Sequence, residues 1–236
     1  MGLFTKSLNQ KLTKYLHAKG AALVGIADLT KLNPKSRWNY ERGIVIALAF
    51  SGKAMETHKN GDPMRYYMEY TAINKKLTAL AGDTVQFLKQ AGYDAFAMLE
   101  SLIPADSRLV TPLPYKTVAT QSGMGWIGKC ALLVTPEYGS AVRMTAVLTN
   151  APLECGEPVC LSRCSEICRV CTNICPSHAI AGNKWRPGMA RESFFNAQAC
   201  FPYAVGFAKD KLKVDDIICG LCLCNCPWTK KAYGYL

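Results

Sequence analysis

Apolar and polar positions alternate in distinct rhythms along the first 150 residues, and each rhythm predicts an element. Leu8, Leu12, Tyr15 and Leu16 recur on one helical face, with Ser7 ahead of them as a cap and Gly20 beyond them as a stop. A first helix is therefore expected over about residues 8–19. The short apolar stretches AALVGIA (21–27) and GIVIALAF (43–50) are bounded by polar or proline-containing segments, the pattern of buried strands. From Arg65 to Gly92, Tyr70, Ile73, Leu77, Leu80, Val85, Phe87 and Leu88 return at helical intervals, with a break expected near Gly82. AFAMLE (95–100) predicts another strand and YKTVATQS (115–122) a short helix. ALLVT (131–135) and AVRMTAVLT (141–149), joined by PEYGS, predict an antiparallel hairpin. The expected class is α+β, with helices covering a largely antiparallel sheet.

Composition narrows the picture. The chain has 236 residues, half of them apolar and 19% charged, which excludes disorder and fibrous architecture. Its longest unbroken apolar run, Ile44 to Phe50, is far short of the roughly 20 residues that cross a bilayer. The N-terminal MGLFTKSLNQKLTKYLHAKG lacks the apolar centre of a secretory signal, so a cytoplasmic protein with no membrane partner is expected. Twenty-eight basic against seventeen acidic side chains give a formal charge of +11, but the lysines are scattered as on a solvated surface.

Twelve cysteines change the reading most. Without an export signal they read as metal ligands rather than disulfides. Cys130 stands alone, whereas the other eleven lie from Cys155 onward, which places a domain boundary near Pro152 and expected domains at 1–152 and 153–236. Cys164, Cys168, Cys171 and Cys175 lie in CSEICRVCTNICP; Cys219, Cys222 and Cys226 lie in CGLCLCNCP. Each run ends in Cys-Pro after a C-x2-C-x3-C spacing, close to the ferredoxin pattern in which the cysteine before proline crosses to the other four-iron cluster. One cluster would take Cys164, Cys168, Cys171 and Cys226; the other would take Cys175, Cys219, Cys222 and, as the natural fourth, Cys200. Cys160 is an alternative to Cys164, and Cys224 competes in the second loop. Zinc is the alternative metal, disfavoured by two full Cys-Pro runs with cysteine-only ligands. Cys130, Cys155 and Cys224 read as buried small hydrophobes. His17, His58 and His178 have no ligand-pair spacing and receive no role.

Gly123-Met124-Gly125-Trp126-Ile127-Gly128 matches G-x-G-x-x-G, but the expected strand follows it rather than precedes it. Positions 138 to 153 also carry no acid, so a dinucleotide site is not expected. The combination SGMGWIGK, ALLVTPEYGSAVRMTAVLTNAPL and CGLCLCNCPW resembles the epoxyqueuosine reductases and reductive dehalogenases, as do RYYMEYTAINKKL and AALVGIAD. The resemblance implies a nitroreductase-like domain that cradles cobalamin without a histidine ligand, and a ferredoxin-like domain with two 4Fe-4S clusters. It implies a reductase fed by an external low-potential electron donor, acting on a small molecule or modified nucleoside, with transfer RNA a lesser expectation. Gly123, Gly125, Gly128 and Lys129 would lie against the cobalamin, Tyr115, Tyr138 and Arg143 would line the pocket as catalytic candidates, and Trp228 would pack on a cofactor face. In the epoxyqueuosine reductases an acid stands three residues ahead of a proline before this motif. Here Leu109 occupies that place, and Asp106 is the nearest substitute. The alternative is an electron-transfer protein that reduces a partner such as a corrinoid protein.

Overall fold

Helix α1 (Gly2–Ala18) buries Leu12 and Leu16, one turn apart, and begins ahead of Ser7, which therefore lies inside the helix instead of capping it. These and the following elements come from a computed structural model that describes residues 2–99 and 106–235. The two apolar runs form β1 (Leu23–Asp28) and β2 (Arg42–Ala49), paired antiparallel from Leu23 opposite Ala47 to Asp28 opposite Arg42. Helix α2 (Gly52–Lys59) was not expected from its polar sequence; Ser51 starts it by accepting the Ala54 N–H. Helix α3 (Met64–Gln90) runs unbroken through Gly82. A lone helical glycine costs only about 1 kcal/mol relative to alanine, less than burial of Leu77, Leu80 and Leu88 returns.

Strand β3 (Ala95–Met98) is followed by α4 (Tyr115–Gln121), β4 (Trp126–Ile127), β5 (Leu133–Val134) and β6 (Val142–Thr149). Glu100, Pro104 and Ala105, which the sequence assigns to a strand end and a turn, lie outside the described residues. The hairpin expected between 131–135 and 141–149 does not form. β5 pairs with β4, and β6 enters the main sheet, ordered β1-β2-β6-β3, antiparallel to β3. Only the bridge between Thr135 and Gly139 closes the intervening loop. The reason is burial: Thr145 to Thr149 are all buried, and a strand so apolar is covered best in the interior of a sheet.

By packing, the chain divides into two interleaved units rather than at one cut near Pro152. Unit one comprises Met1–Leu48, Ile73–Met124 and Arg143–Val159; unit two comprises Ala49–Ala72, Gly125–Val142 and Cys160–Leu236. Unit one holds the four-stranded sheet and a core of Leu12, Leu16, Ile44, Ile46, Leu80, Leu88 and Val147. Unit two gathers the β4–β5 pair with the short helices α5 (Val170–Ile174), α6 (Ala197–Phe207), α7 (Leu221–Cys224) and α8 (Pro227–Ala232). Trp126, Phe50, Met55 and Leu133 are buried in it, and two further apolar groups are Ile127 with Ala131 and Phe194, and Cys130 with Cys171 and Ile180. No helix among the described residues is long and apolar enough to cross a membrane.

Candidate metal centre

Unit two contains a cavity of about 110 Å³ walled by Cys130, Cys164, Cys168, Cys171 and Cys226, together with Gly128, Lys129 and Trp228. Local sequence explains how the thiols meet. The Cys164 N–H donates to Ser162 Oγ and the Cys168 N–H to the Ser165 carbonyl, which turns the loop back on itself. Cys171 then falls in the opening turn of α5. Cys226 stands at the N-cap of α8, and Pro227, whose fixed φ suits a first helical position, starts that helix and closes the cavity wall. The dipeptide Cys-Pro therefore places a thiol at a helix entrance.

Lys129, only 2% exposed, sends its Nζ to the carbonyls of Glu166 and Cys168, both at 3.0 Å. Arg169 Nη1 donates to the same two carbonyls at 2.8 and 3.2 Å. Two cations thus fix the loop between Cys164 and Cys168 and bring positive charge to a cavity lined by groups that ligate as anions. Burial raises the Cys226 thiol above its ordinary range, and the neighbouring Cys164 adds to the shift. A bound cation reverses that preference.

A second group lies beside the first. Cys175, Cys200 and Cys219 are electrostatic neighbours, and burial pushes Cys219 up to about 11. Cys175 and Cys222 both pack against the buried set of Cys130, Cys171 and Ile180. The Cys219 carbonyl accepts from His58 Nε2 at 2.6 Å, and the His58 ring stacks on Tyr66 at 4.7 Å and 6°. Gly220 has φ +75°, and a Cβ there would meet Tyr66 at 2.7 Å and His58 at 2.9 Å, so only glycine lets the loop rest on this pair. Sequence reading missed His58 and Tyr66 because neither carries a ligand spacing. Cys224 is occupied within its own helix, accepting from Asn225 Nδ2 and donating to the Leu221 carbonyl, and burial raises it to about 12. Cys160 is exposed and does not line the cavity.

Among the described residues, none of the twelve cysteines is joined in a disulfide. Among the described residues, no three His, Cys, Asp or Glu side chains converge closely enough for a single metal ion. Five thiols line the cavity, a cysteine-only set of the kind that iron–sulfur clusters take.

The residues expected to cradle cobalamin are engaged elsewhere. A Cβ on Gly125 would lie 2.2 Å from the Val134 carbonyl oxygen, and one on Gly128 would lie 2.9 Å from the Val134 side chain and 3.6 Å from Cys164 Sγ. Gly123, at φ +80°, is closed off by the Glu157 carbonyl at 2.7 Å. The close approach these glycines permit is to the protein's own chain. Of these four residues, Lys129 is the one whose charged end is committed to the cysteine loop. Trp228 lies edge-on to the buried Trp126 at 4.8 Å. The G-x-G-x-x-G stretch follows helix α4 and contains β4, the reverse of a dinucleotide fingerprint.

Two of the three catalytic candidates have side-chain partners within the chain. The Tyr115 hydroxyl donates to the Met98 carbonyl, and Arg143 Nε donates to Asn74 Oδ1 at 2.9 Å. Tyr138 is half-buried, its N–H on Thr135 Oγ1. Asp106 accepts from the Arg108 guanidinium at 2.7 and 2.9 Å and from the N–H groups of Arg108 and Val110. The bond to Arg108, followed by that to Val110, holds the carboxyl below its ordinary range. These bonds favour the carboxylate form of Asp106 over the acid.

No family model matches the chain. It is 25% identical over 216 residues to the epoxyqueuosine reductase of Lactococcus garvieae (strain Lg2), covering 85% of this chain and 55% of that protein. It is 27% identical over 158 residues to the tetrachloroethene reductive dehalogenase of Sulfurospirillum multivorans, covering 61% and 27%. The crystal structure of an epoxyqueuosine reductase with an epoxyqueuosine-modified tRNA-Tyr stem loop matches 96% of this chain and 66% of its own, at a TM-score of 0.61 and 19% identity. The chain spans about half or less of the length of these curated relatives. In sequence and in fold, the chain is related to the epoxyqueuosine reductases and the reductive dehalogenases.

Proposed function

We propose that the chain is a cytoplasmic iron–sulfur oxidoreductase whose ferredoxin-like unit passes low-potential electrons through two 4Fe-4S clusters. The observation that carries this reading is the cavity where Cys164, Cys168 and Cys171 meet Cys226, a cysteine drawn from the other Cys-Pro run. Those four residues would hold one cluster, and Cys175, Cys200, Cys219 and Cys222 the other. When bound, the clusters supply one-electron transfer at low potential. The chain's own groups hold the ligand loops: Lys129 and Arg169 through the carbonyls of Glu166 and Cys168, His58 through the carbonyl of Cys219. Electrons come from an external donor, and the substrate is a small molecule or modified nucleoside; an RNA ligand has support only from the stem loop bound to the solved relative.

Cobalamin is proposed as a further cofactor on relatedness alone, and no step is routed through it. A second reading, an electron-transfer protein that reduces a partner, is favoured by a specific observation: Asp106, Tyr115 and Arg143 are all committed to neighbouring groups. An anaerobic cobalamin titration of the reconstituted chain separates the two. Binding at tens of micromolar, about −6 kcal/mol, supports the reductase. Absence of binding at that concentration overturns it in favour of the electron carrier.

A further inference from the structure

Cys130 is the one cysteine outside the cysteine-rich segment, and its sequence gives it no role beyond packing. In the structure its side chain is 5% exposed, lines the cavity beside Cys164 and Cys168, and packs in one buried group with Cys171, against which Cys222 also lies. Cys171 belongs to the first proposed ligand set and Cys222 to the second, so this thiol shares a packed group with one ligand of each. Its position is fixed from both sides. Lys129 is tied to the Glu166 and Cys168 carbonyls, and the Ala131 N–H closes a tight turn onto the Gly128 carbonyl at 2.9 Å. Eight other cysteines already supply four sulfurs to each proposed cluster, so Cys130 is a ninth thiol at the point where the two sets meet. A thiol has one hydrogen to donate, and a coordinating thiolate retains lone pairs that accept.

We propose that Cys130 ligates no iron and acts as a positioning residue, donating its S–H to the coordinating sulfur of Cys171 or Cys222. The proposal rests on the two-cluster reading above. Hydrogen bonds to cluster sulfurs are one of the levers that set reduction potential, and a donor stabilises the more negative, reduced state. Cys130 therefore makes the cluster it contacts easier to reduce.

The test is anaerobic reconstitution of the full chain and of Cys130→Ala, Cys130→Val and Cys130→Ser, with iron and sulfide analysis and redox titration followed by electron paramagnetic resonance. Valine fills the space without a donor, so the comparison stands if the alanine variant fails to fold; serine keeps a donor. About eight iron atoms are expected in each folded variant. The midpoint potential of at least one cluster should shift downward in Cys130→Ala or Cys130→Val and return toward the unmodified value in Cys130→Ser. Loss of about half the iron from the valine variant would make Cys130 a ligand and overturn the proposal. Unchanged potentials there would reduce it to packing and overturn the proposal as well. An unmodified chain that takes up no iron would instead refute the cluster reading itself, a result distinct from either.

Discussion

Lys129 sits 2% exposed with its ammonium on two carbonyls of the loop that carries Cys164 and Cys168, and this contact turns a residue expected at a cofactor into a brace for the cysteine loop. Lys129→Met keeps most of the stem and removes both bonds. Urea unfolding of the reconstituted protein should show a loss of about 1–3 kcal/mol. Lysine spacing in the sequence could not reveal this, because the partners lie 37 and 39 positions away. The meeting of Cys164, Cys168 and Cys171 at one cavity was legible for the opposite reason, since their spacing is local in sequence. At Asp106, the bond from Arg108 holds the carboxyl ionised below the ordinary carboxylate range. Asp106→Asn should therefore leave any reductase turnover unchanged near neutral pH, and a large loss of rate would restore it as an acid. With Leu109 in the place where epoxyqueuosine reductases carry their acid, the chain should reduce little or no epoxyqueuosine in transfer RNA. Mass spectrometry of the digested nucleosides reads this, and efficient conversion would show that another group donates the proton.

Among elements, those with strong periodicity were legible: α1, β1, β2 and α3 follow the apolar positions that predict them, except that α3 passes through Gly82 without a break. The hairpin was not legible, since an apolar strand after a glycine-containing loop pairs with whichever edge buries it best, and β6 finds the main sheet while β5 finds β4. The β4–β5 pair yields a prediction. A side chain at Gly125 would meet the Val134 carbonyl at 2.2 Å, a backbone atom that cannot rotate away. Gly125→Val should cost about 3 kcal/mol or more in thermal unfolding, with or without added cobalamin. Loss of cobalamin affinity with unchanged stability would return this segment to the cofactor. Helix α2 yields another, through His58. Its ring is 1% exposed, its Nδ1 has no partner among the described residues, and burial lowers its pKa below the ordinary value. The unfolded chain then binds the extra proton first, so this contribution to stability is present above about pH 6.5 and is lost as pH falls through the folded pKa. His58→Gln should flatten that part of the stability profile between about pH 6.5 and pH 5, and an unchanged slope would assign it elsewhere.

At the scale of the molecule, the α+β class was legible in the apolar rhythm, but the interleaving of units was not. Residues 49–72 and 125–142 carry no excess of cysteine, and they join unit two because His58, Tyr66, Lys129 and Cys130 pack against its cysteine loops. Metal held by the cysteine loops of unit two should add its binding free energy to the stability of that unit. The formal charge of +11 also depends on the metal, since two clusters at about −2 each bring it to roughly +7. The measurement that bears most directly on the iron–sulfur reading is metal and acid-labile sulfide analysis of the full chain purified and reconstituted without oxygen. About eight iron and eight sulfide per chain are expected, falling by about half when Cys171→Ser or Cys222→Ser removes one ligand. Two tightly bound zinc ions with negligible iron and sulfide would contradict it.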